Sequence, residues 1–459
     1  MATNDFSWSR LERELLPDSE GGSMNIAYAA LEHHARAGTG DATALIWHGH
    51  GGARRTVSYS ELRDGAMRFA SALAARGIGF SERVSTLAPR VPEVYAAGLG
   101  ALWRGAVFAP LFSVYGPEPV SRRLMVGEAR VLVTTEQLYR ERVAPIRSRL
   151  PGLEHVVLLD GELPGTQHWE TFCGTARPAP VAATRAEYPA VLHFTSGTTG
   201  TPKCVLHVQR AVVAYMVSGR DVLGLKPGTR YWCTADPGWV TGVTYGLIVP
   251  LLCGATMVVD ESDFDARRWY GIIESERVEC LFTTPTELRM LQLAGNELAA
   301  SYDLSTLDRI FSTGEPLDPA LHRWVRETLG TPPRDAWSQS ETGVAMIAQY
   351  GDDPVTPGCM GRPTPGIEMA LVTRSDDGVA PVGDGEVGQI ALRAGWPSMF
   401  RAYLGDPARY RARFSGDWYL SGDTAQRDEA GELHFVGRLD DIIKTHGYMV
   451  GPAEVEAVL

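Results

Sequence analysis

The segment His193-Phe-Thr-Ser-Gly-Thr-Thr-Gly-Thr-Pro-Lys203 directly follows the strand-like residues Ala190-Val-Leu. Gly197 and Gly200 allow the backbone to turn tightly and to approach a ligand closely. Lys203 and several hydroxyl groups supply hydrogen-bond donors without a competing carboxylate, a set that suits an oxyanion such as polyphosphate. The hydroxyl groups in question are those of Thr195, Ser196, Thr198 and Thr199. The Walker pattern is absent, and a polar surface turn is the alternative interpretation.

Strand-like runs alternate with helical stretches on both sides of this segment. Ser58 and Glu61 predict a capping box at the start of a helix that ends at Gly77, and a second helix is predicted from Glu93 to Trp103. Strands are predicted at Val84–Leu87, Val131–Thr134, His155–Leu159, Ala190–Phe194, Tyr231–Thr234, Thr256–Val259, Glu279–Thr283 and Arg309–Ser312. This alternation predicts an α/β fold with largely parallel sheets.

The sequence changes in character after about Gly351, where glycine and proline become frequent. Val387–Leu392 and Trp418–Val436 are typical of antiparallel strands, with a hairpin turn at Asp428–Gly431. Gly161–Ala183 is the best candidate for an exposed loop. Pro452 begins an amphipathic pattern shortly before the last residue, which indicates a further domain that has only begun.

Composition excludes several classes of protein. The 459 residues are 44% hydrophobic and 21% charged, with a formal net charge of -12. Such an acidic balance argues against general binding to nucleic acid or to membrane surfaces. The six cysteines form no CxxC pair, and the longest apolar run, Gly246–Val259, is too short to span a bilayer. We expect a cytoplasmic protein, and the sequence predicts no particular oligomeric state.

The glycine-rich segment and several later motifs resemble those of one enzyme family. TSGTTGTPK is similar to the phosphate loop of the AMP-forming adenylating enzymes: acyl-CoA synthetases, peptide-synthetase adenylation domains and luciferases. The resemblance is closest to the acetyl-CoA and medium-chain acyl-CoA synthetase branch. It continues in order through Trp232–Gly242, Gly314–Pro316, Trp337–Gly343, Ser421–Asp423 and Gly437–Asp441.

The resemblance implies a fold and a domain organisation. The expected fold is a large N-terminal α/β domain, residues 1–439, with two mostly parallel sheets packed with helices. A distorted antiparallel β subdomain would occupy about residues 350–436. Residues 440–459 would be the hinge and the start of a small C-terminal domain that is truncated here.

The implied activity is activation of a small carboxylic acid by ATP, with Mg²⁺ as metal, followed by transfer to coenzyme A. A carboxylate attacks the α-phosphorus, pyrophosphate leaves, and a thiol displaces AMP. Two alternatives stay open: an adenylating ligase that passes the acyl group to a carrier protein or an amine, and a nucleotide-binding pseudoenzyme.

The resemblance also assigns nucleotide-binding residues. Glu341 would bind Mg²⁺, Asp423 the ribose hydroxyls, and Arg438 ribose or phosphate. The remaining assigned positions, besides the loop itself with Lys203, are Gly314, Glu315, Pro316, Asp335, Ala336, Trp337, Ser338, Gln339 and Ser340. Asp335 would lie near the adenine amino group, and Trp337 would stack on the ring. The structural alternatives are a solvated Glu341, an Asx turn at Asp423, a surface ion pair at Arg438 and a core Trp337.

By the same resemblance, the acyl pocket is lined by Val240, Thr241, Thr313 and Ser338. Acetyl-CoA synthetases carry tryptophan at the position of Ser338 and usually valine at that of Thr313, so we expect an acid larger than acetate, and the two hydroxyls leave a polar substituent open. Trp239 or Met346 filling the space is the alternative. Asp440 resembles the domain hinge and Gly447 the glycine beside the pantetheine tunnel.

Two departures from the family pattern stand near the end of the chain. Met449 occupies a position that is usually arginine in this branch, and His446 a position that is usually serine. The family's adenylation lysine would lie beyond Leu459. We therefore expect this chain to bind nucleotide and to adenylate poorly.

Overall fold

The protein is described by a computed structural model that covers residues 6–15, 23–174, 179–195, 202–375, 378–439, 443–445 and 448–450. In this part of the chain, two large, mostly parallel sheets are packed with helices, and a third sheet is antiparallel. The first large sheet has antiparallel strands at both edges and the second at one edge. This arrangement confirms the predicted fold class.

The first sheet has nine strands. Six neighbouring strands in its centre run parallel, and the strands at both edges are antiparallel. In hydrogen-bonded order the strands are Arg362–Pro363, Ile347–Ala348, Pro333–Trp337, Arg309–Ser312, Cys280–Thr283, Arg230–Cys233, Thr256–Asp260, Thr43–His48 and Arg54–Ser58.

The second sheet has eight strands and carries the glycine-rich segment. Its strand Pro189–Thr195 contains the first three residues of that segment, and Lys203–Val208 returns antiparallel beside it, with Thr195 opposite Lys203. In order, the strands are Ala402–Tyr403, Lys203–Val208, Pro189–Thr195, Val107–Phe108, Arg83–Leu87, Ala129–Thr134, His155–Leu158 and Gln167–His168.

The third sheet comprises the later part of the chain, as the sequence predicts. Its antiparallel strands are Gly378–Pro381, Met369–Ser375, Val387–Arg393, Trp418–Arg427, Phe414–Ser415 and Leu433–Arg438. The predicted turn joins two of them, because the Gly431 N–H donates to the Asp428 carbonyl. A separate two-stranded ladder pairs Ile443–Thr445 with Tyr448–Val450.

Helices cover the faces of the two large sheets. The α-helices are Trp8–Leu15, Ile26–Arg36, Tyr59–Ala75, Pro92–Trp103, Pro117–Val126, Glu136–Leu138, Trp169–Cys173, Ala211–Val217, Val240–Val243, Val249–Leu252, Ala266–Glu276, Pro285–Leu293, Asn296–Ala299, Pro319–Leu329 and Pro407–Arg411. Shorter turns of other pitch lie at His50–Gly52, Tyr139–Val143, Ala144–Arg149, Ser218–Val222 and Thr244–Ile248. No helix among the described residues combines the length and apolarity needed to cross a bilayer.

The predicted capping box is confirmed at the start of Tyr59–Ala75. The Ser58 hydroxyl accepts from the Glu61 N–H at 3.1 Å, and the Glu61 carboxylate accepts from the Ser58 N–H at 2.8 Å. Two of the first unpaired N–H groups of the helix region are thereby satisfied. Phe69, on the same helix, is fully buried, so local capping and core packing fix this element together.

The prediction of an exposed loop at Gly161–Ala183 is wrong for residues 167–173. The segment contains the strand Gln167–His168 and the helix Trp169–Cys173. Trp169 is buried, and its ring stacks on Phe69 with centroids 5.2 Å apart. Burial of one large aromatic side chain outweighs the turn-forming residues around it.

The strand order places several chain segments beyond the carboxyl ends of parallel strands. The strands that end at Thr195, Ser312 and Trp337 belong to the parallel parts of the two large sheets. Ligands of open α/β sheets bind beyond the carboxyl ends of such strands. Residues that follow these three strands are therefore placed where a ligand would be expected.

Candidate functional site: a nucleotide-sized cleft

A cavity of about 770 Å³ lies beyond the carboxyl ends of these strands; we call it the cleft. Its volume is typical of a small-molecule site. Among the predicted site residues, the cleft is lined by Thr195, Lys203, Trp239, Val240, Thr241, Thr313, Gly314, Glu315, Pro316, Asp335, Ala336, Trp337, Ser338, Gln339, Ser340, Glu341, Asp423 and Arg438. Predicted positions at Ser196, Gly197, Thr198, Thr199, Gly200, Asp440 and Gly447 lie outside the described residues.

Glu341 is a buried carboxylate, not a solvated one. Its side chain lies in the cleft wall, and its Oε1 accepts a 2.5 Å hydrogen bond from the Tyr403 hydroxyl. Desolvation, the Glu341 charge and this hydrogen bond together raise the pKa of Tyr403 far above its usual value. Tyr403 therefore stays a donor that orients the carboxylate.

The loop that carries Glu341 is held from behind. The Glu341 carbonyl accepts from the Phe400 N–H at 3.0 Å, and the Thr342 carbonyl accepts from Trp396 Nε1 at 3.1 Å. The ring of His207 lies between two further carbonyls, with Nε2 2.7 Å from Ser340 O and Nδ1 3.0 Å from Ser398 O. These contacts fix the carboxylate with little local freedom.

Lys203 lies on the same side of the cleft as Glu341. Burial lowers the pKa of Lys203, and the nearby Glu341 carboxylate partly offsets this effect. Its Nζ is 5.8 Å from the ring centroid of Tyr403. The cation and the carboxylate thus share one aromatic neighbour, so a phosphate and its metal ion could be held side by side.

The residues present fit a Mg²⁺ ion that is bound together with phosphate. Mg²⁺ commonly takes one or two protein carboxylates and completes its shell with water and phosphate oxygens. Glu341 provides one such carboxylate, and the part of the chain that is described has no cluster of three His, Cys, Asp or Glu side chains able to hold a metal. When bound, Mg²⁺ would neutralise phosphate charge.

Asp423 also lines the cleft and is buried. Its Oδ2 accepts from Trp337 Nε1 at 2.9 Å and from Gln339 Nε2 at 2.8 Å. Burial raises the pKa of Asp423, and these two hydrogen bonds and the charge of Arg438 oppose the rise. Trp337 and Gln339 thus both donate to the same oxygen, Oδ2.

Arg438 faces Asp423 across two paired strands. Asp423 and Arg438 are direct partners in the antiparallel register of Trp418–Arg427 and Leu433–Arg438. Arg438 is exposed at the cleft wall, and its charge acts on Asp423. A guanidinium opposite a ribose-binding carboxylate can reach ribose or phosphate oxygens. Its assignment as a catalytic residue remains a prediction.

Asp335 lies at the predicted adenine end. Burial raises the pKa of Asp335 to about 7, although hydrogen bonds from the Leu317 and Ala336 backbone oppose this. Gly314 has φ of +92°, and a Cβ there would meet no atom within 4 Å, so the chain turns here with open space beside it. Glu315 is held by Thr286 and Arg289 at 2.6 and 3.2 Å.

The acyl end differs in one respect from the expectation. The Thr313 hydroxyl donates a 2.6 Å hydrogen bond to the Ala336 carbonyl, so it is engaged within the protein. Met346 is fully buried and does not line the cleft, whereas Trp239 is 44% exposed and does. Of the two side chains considered for filling the pocket, only Trp239 is in place to do so.

Several residues of the cleft have no signal in the sequence. Arg413 lines the cleft and donates to the Tyr419 hydroxyl at 3.0 Å and the Ser421 carbonyl at 2.6 Å. Tyr403 belongs to a short strand that pairs with Val205 beside the glycine-rich segment. Through this pairing Tyr403 contacts Glu341 in the cleft wall, whereas Arg413 itself lines the cleft. Arg413 supplies a cation in addition to Lys203 and Arg438.

Comparison with known proteins agrees with this geometry. The family model described as "AMP-binding enzyme" matches residues 31–404. The acetyl-coenzyme A synthetase of Bacillus subtilis is 39% identical over 449 residues, which span 95% of this chain and 76% of that protein. The acetyl-coenzyme A synthetase of Deinococcus radiodurans is 34% identical over 468 residues, spanning 96% and 72%.

A solved structure gives the same result. The crystal structure of a Brucella canis acyl-CoA synthetase superposes with a TM-score of 0.86 at 29% identity, over 99% of this chain and 82% of that chain. Together these matches show that the chain belongs to the AMP-binding enzyme family, as an AMP-forming ligase of the acyl-CoA synthetase branch whose cofactors are ATP, Mg²⁺ and coenzyme A.

Proposed function

We propose that this ligase activates a small carboxylic acid larger than acetate. A carboxylate oxygen forms a bond to the α-phosphorus of ATP, the bond to the β-phosphate breaks, and pyrophosphate leaves. The sulfur of coenzyme A then bonds to the acyl carbon, and AMP leaves as the C–O bond breaks. The carrying observation is the single cleft that contains Lys203, Glu341, Asp423 and Arg438.

Each of these side chains has a proposed task. Lys203 and Arg438 would offset the charge that accumulates on the phosphates, and Asp423 would fix the ribose so that the α-phosphorus faces the acid. The small Ser338 side chain in the cleft wall supports an acid larger than acetate, because it leaves room that a large side chain would fill. The relatives described above are named for acetate, which is a smaller acid than the one proposed here.

We further propose the domain division given by the sequence. Residues 1–439 would be the adenylating unit, with the β-rich part at about 350–436 and a hinge at Asp440. In support, the Leu439 N–H still bonds to the Gly422 carbonyl at 2.7 Å, so the described chain is anchored to the third sheet up to that residue.

Pyrophosphate exchange with acetate, propionate, butyrate and valerate tests the choice of acid, because the relative rates are compared within one enzyme. We expect the specificity constant to be higher for butyrate than for acetate. A clear preference for acetate would contradict the proposal. Product analysis with coenzyme A, a carrier protein and an amine then identifies the acceptor, and a product with carrier protein or amine alone would exclude coenzyme A.

A further inference from the structure

A second, smaller cavity of about 60 Å³ lies beside the acyl end of the cleft. Trp239, Thr241, Thr313 and Gly314 border both cavities. The other residues that line the smaller cavity are Thr234, Ala235, Phe282, Thr283 and Thr284. We call it the threonine cavity. Because these four residues border both cavities, an acid in the cleft would need to pass only them to enter the threonine cavity.

Three hydroxyl groups of this wall converge on Glu287, which does not itself line the cavity. Glu287 Oε2 accepts from Thr234 Oγ1 and Thr283 Oγ1, each at 2.6 Å, and from Thr284 Oγ1 at 3.2 Å. Glu287 and Thr284 also form the capping box of the helix Pro285–Leu293. The carboxylate is therefore fixed by the backbone as well as by the threonines.

The direction of these hydrogen bonds decides what the cavity offers to a ligand. A threonine whose hydroxyl is held by an acceptor outside the cavity leaves its methyl group to line the space. The Thr313 hydroxyl is likewise held, by the Ala336 carbonyl at 2.6 Å. Four of the five threonines thus contribute methyl groups, and Phe282 and Ala235 add further apolar surface.

We propose that the threonine cavity receives the alkyl tail of the acid, and that Glu287 is the positioning residue that keeps its wall apolar. The inference rests on the proposed function and deepens it. Space of this size holds about two atoms as large as a methylene group, since a cavity of about 150 Å³ is needed to hold benzene. With the carboxyl carbon and its neighbour in the cleft, the substrate class is accordingly unsubstituted aliphatic acids of about four carbon atoms. A hydroxylated tail would lose its water at a wall where four of the five threonine hydroxyls are already engaged with Glu287 or the Ala336 carbonyl.

Binding of stable acyl-adenylate analogues tests this directly, because no turnover is required. Isothermal titration would compare acetyl, propionyl, butyryl and 3-hydroxybutyryl sulfamoyl adenosines, with ATP as the reference. We expect about a fourfold gain in affinity for each methylene from acetyl to butyryl. The 3-hydroxybutyryl analogue should bind about tenfold more weakly than butyryl. Equal binding of acetyl and butyryl, or of butyryl and 3-hydroxybutyryl, would overturn the inference.

The outcomes also separate this inference from the proposed function. If neither ATP nor any analogue binds, the proposed function itself fails. If ATP and the acetyl analogue bind but the longer chains bring no gain, only the assignment of the threonine cavity fails.

Two sets of variants locate the effect. Ala235 lines the threonine cavity but not the cleft, so Ala235→Val should remove the gain for butyryl while acetyl binding stays within about twofold. Glu287→Ala frees the threonine hydroxyls to turn inward, so the ratio of butyryl to 3-hydroxybutyryl affinity should fall towards one. Glu287→Gln keeps an acceptor and should retain most of the ratio. Unchanged ratios in Ala235→Val and Glu287→Ala would contradict the proposal.

Discussion

Trp337 Nε1 donates a 2.9 Å hydrogen bond to Oδ2 of Asp423. The two residues come from different sheets, since Trp337 ends the strand Pro333–Trp337 of the first sheet and Asp423 lies in Trp418–Arg427 of the third. The bond therefore joins the predicted adenine side of the cleft to its predicted ribose side. It also assigns the indole N–H a task that stacking alone would not require.

Replacing Trp337 with Phe should weaken ATP binding by about tenfold, because a charge-assisted hydrogen bond to a buried carboxylate is lost. The same loss should raise the pKa of Asp423 further, since the Trp337 donor now opposes the effect of burial. ATP affinity in the variant should therefore begin to fall at a higher pH as the solution is acidified. Titration calorimetry across pH 5–8 measures both effects.

Trp324→Phe is a matched control for this prediction. Trp324 Nε1 donates to Asn296 Oδ1 at 2.7 Å, and neither residue lines the cleft. The control should bind ATP like the unmodified chain. If the Trp337→Phe variant keeps both its ATP affinity and the pH at which that affinity begins to fall, the Trp337–Asp423 hydrogen bond does not serve nucleotide binding.

Replacing Tyr403 with Phe should raise the Mg²⁺ concentration needed for tight ATP binding by about tenfold. The variant loses the donor that orients the Glu341 carboxylate, while the ring near Lys203 is retained. The measurement is the ATP affinity as a function of free Mg²⁺. Tyr350→Phe, whose hydroxyl bonds to the Pro363 carbonyl, is the control. Equal Mg²⁺ dependence in both variants would disprove the role of Tyr403.

Replacing Asp335 with Asn should stabilise the fold at neutral and higher pH. The pKa of Asp335 is raised to about 7 in the folded chain, chiefly by burial, against about 3.9 for an unfolded aspartate. Between these values the folded state binds more protons, so stability falls as the pH rises, and the full cost is present above about pH 7.

Thermal unfolding measured from pH 4 to 8 checks this sign. The gain in Tm of Asp335→Asn over the unmodified chain should be small near pH 4 and largest above pH 7. Asp384→Asn, at an exposed position, should show no such trend. A gain that is independent of pH would argue against ionisation of Asp335 as the cause.

Replacing Ser338 with Trp should convert the acid preference towards acetate. The indole would occupy the acyl end of the cleft, so kcat/KM for butyrate should fall by about a hundredfold while the value for acetate is largely kept. Ser338→Ala, which adds no bulk, should leave the butyrate-to-acetate ratio nearly unchanged. If Ser338→Trp lowers both acids equally, Ser338 does not border the acyl chain.

The parts of the fold that local sequence patterns determine were predictable. The strand Arg309–Ser312 has the predicted bounds, and the Ser58–Glu61 capping box marks the predicted helix start. The site residues were predictable where they lie close together in the sequence, as at Gly314–Pro316 and Trp337–Glu341. Such segments keep their spacing because each follows a single parallel strand.

The remaining features depend on tertiary packing that no local pattern reports. Trp169 is buried because Phe69, a hundred residues earlier in the chain, lies under its ring. Tyr403 reaches Glu341 because its short strand pairs with Lys203–Val208, and Arg413 is held in the cleft by Tyr419 and Ser421. The direction of the Thr313 hydroxyl depends on the Ala336 carbonyl of the neighbouring strand. None of these partners is adjacent in sequence.

A crystal structure of the protein with ATP and Mg²⁺ tests most directly whether one nucleotide spans the cleft. We predict the triphosphate beside Lys203, the metal ion on the Glu341 carboxylate and the ribose hydroxyls on Asp423, all from a single bound ATP. A nucleotide bound elsewhere, or one that contacts only one of these three side chains, would contradict the account.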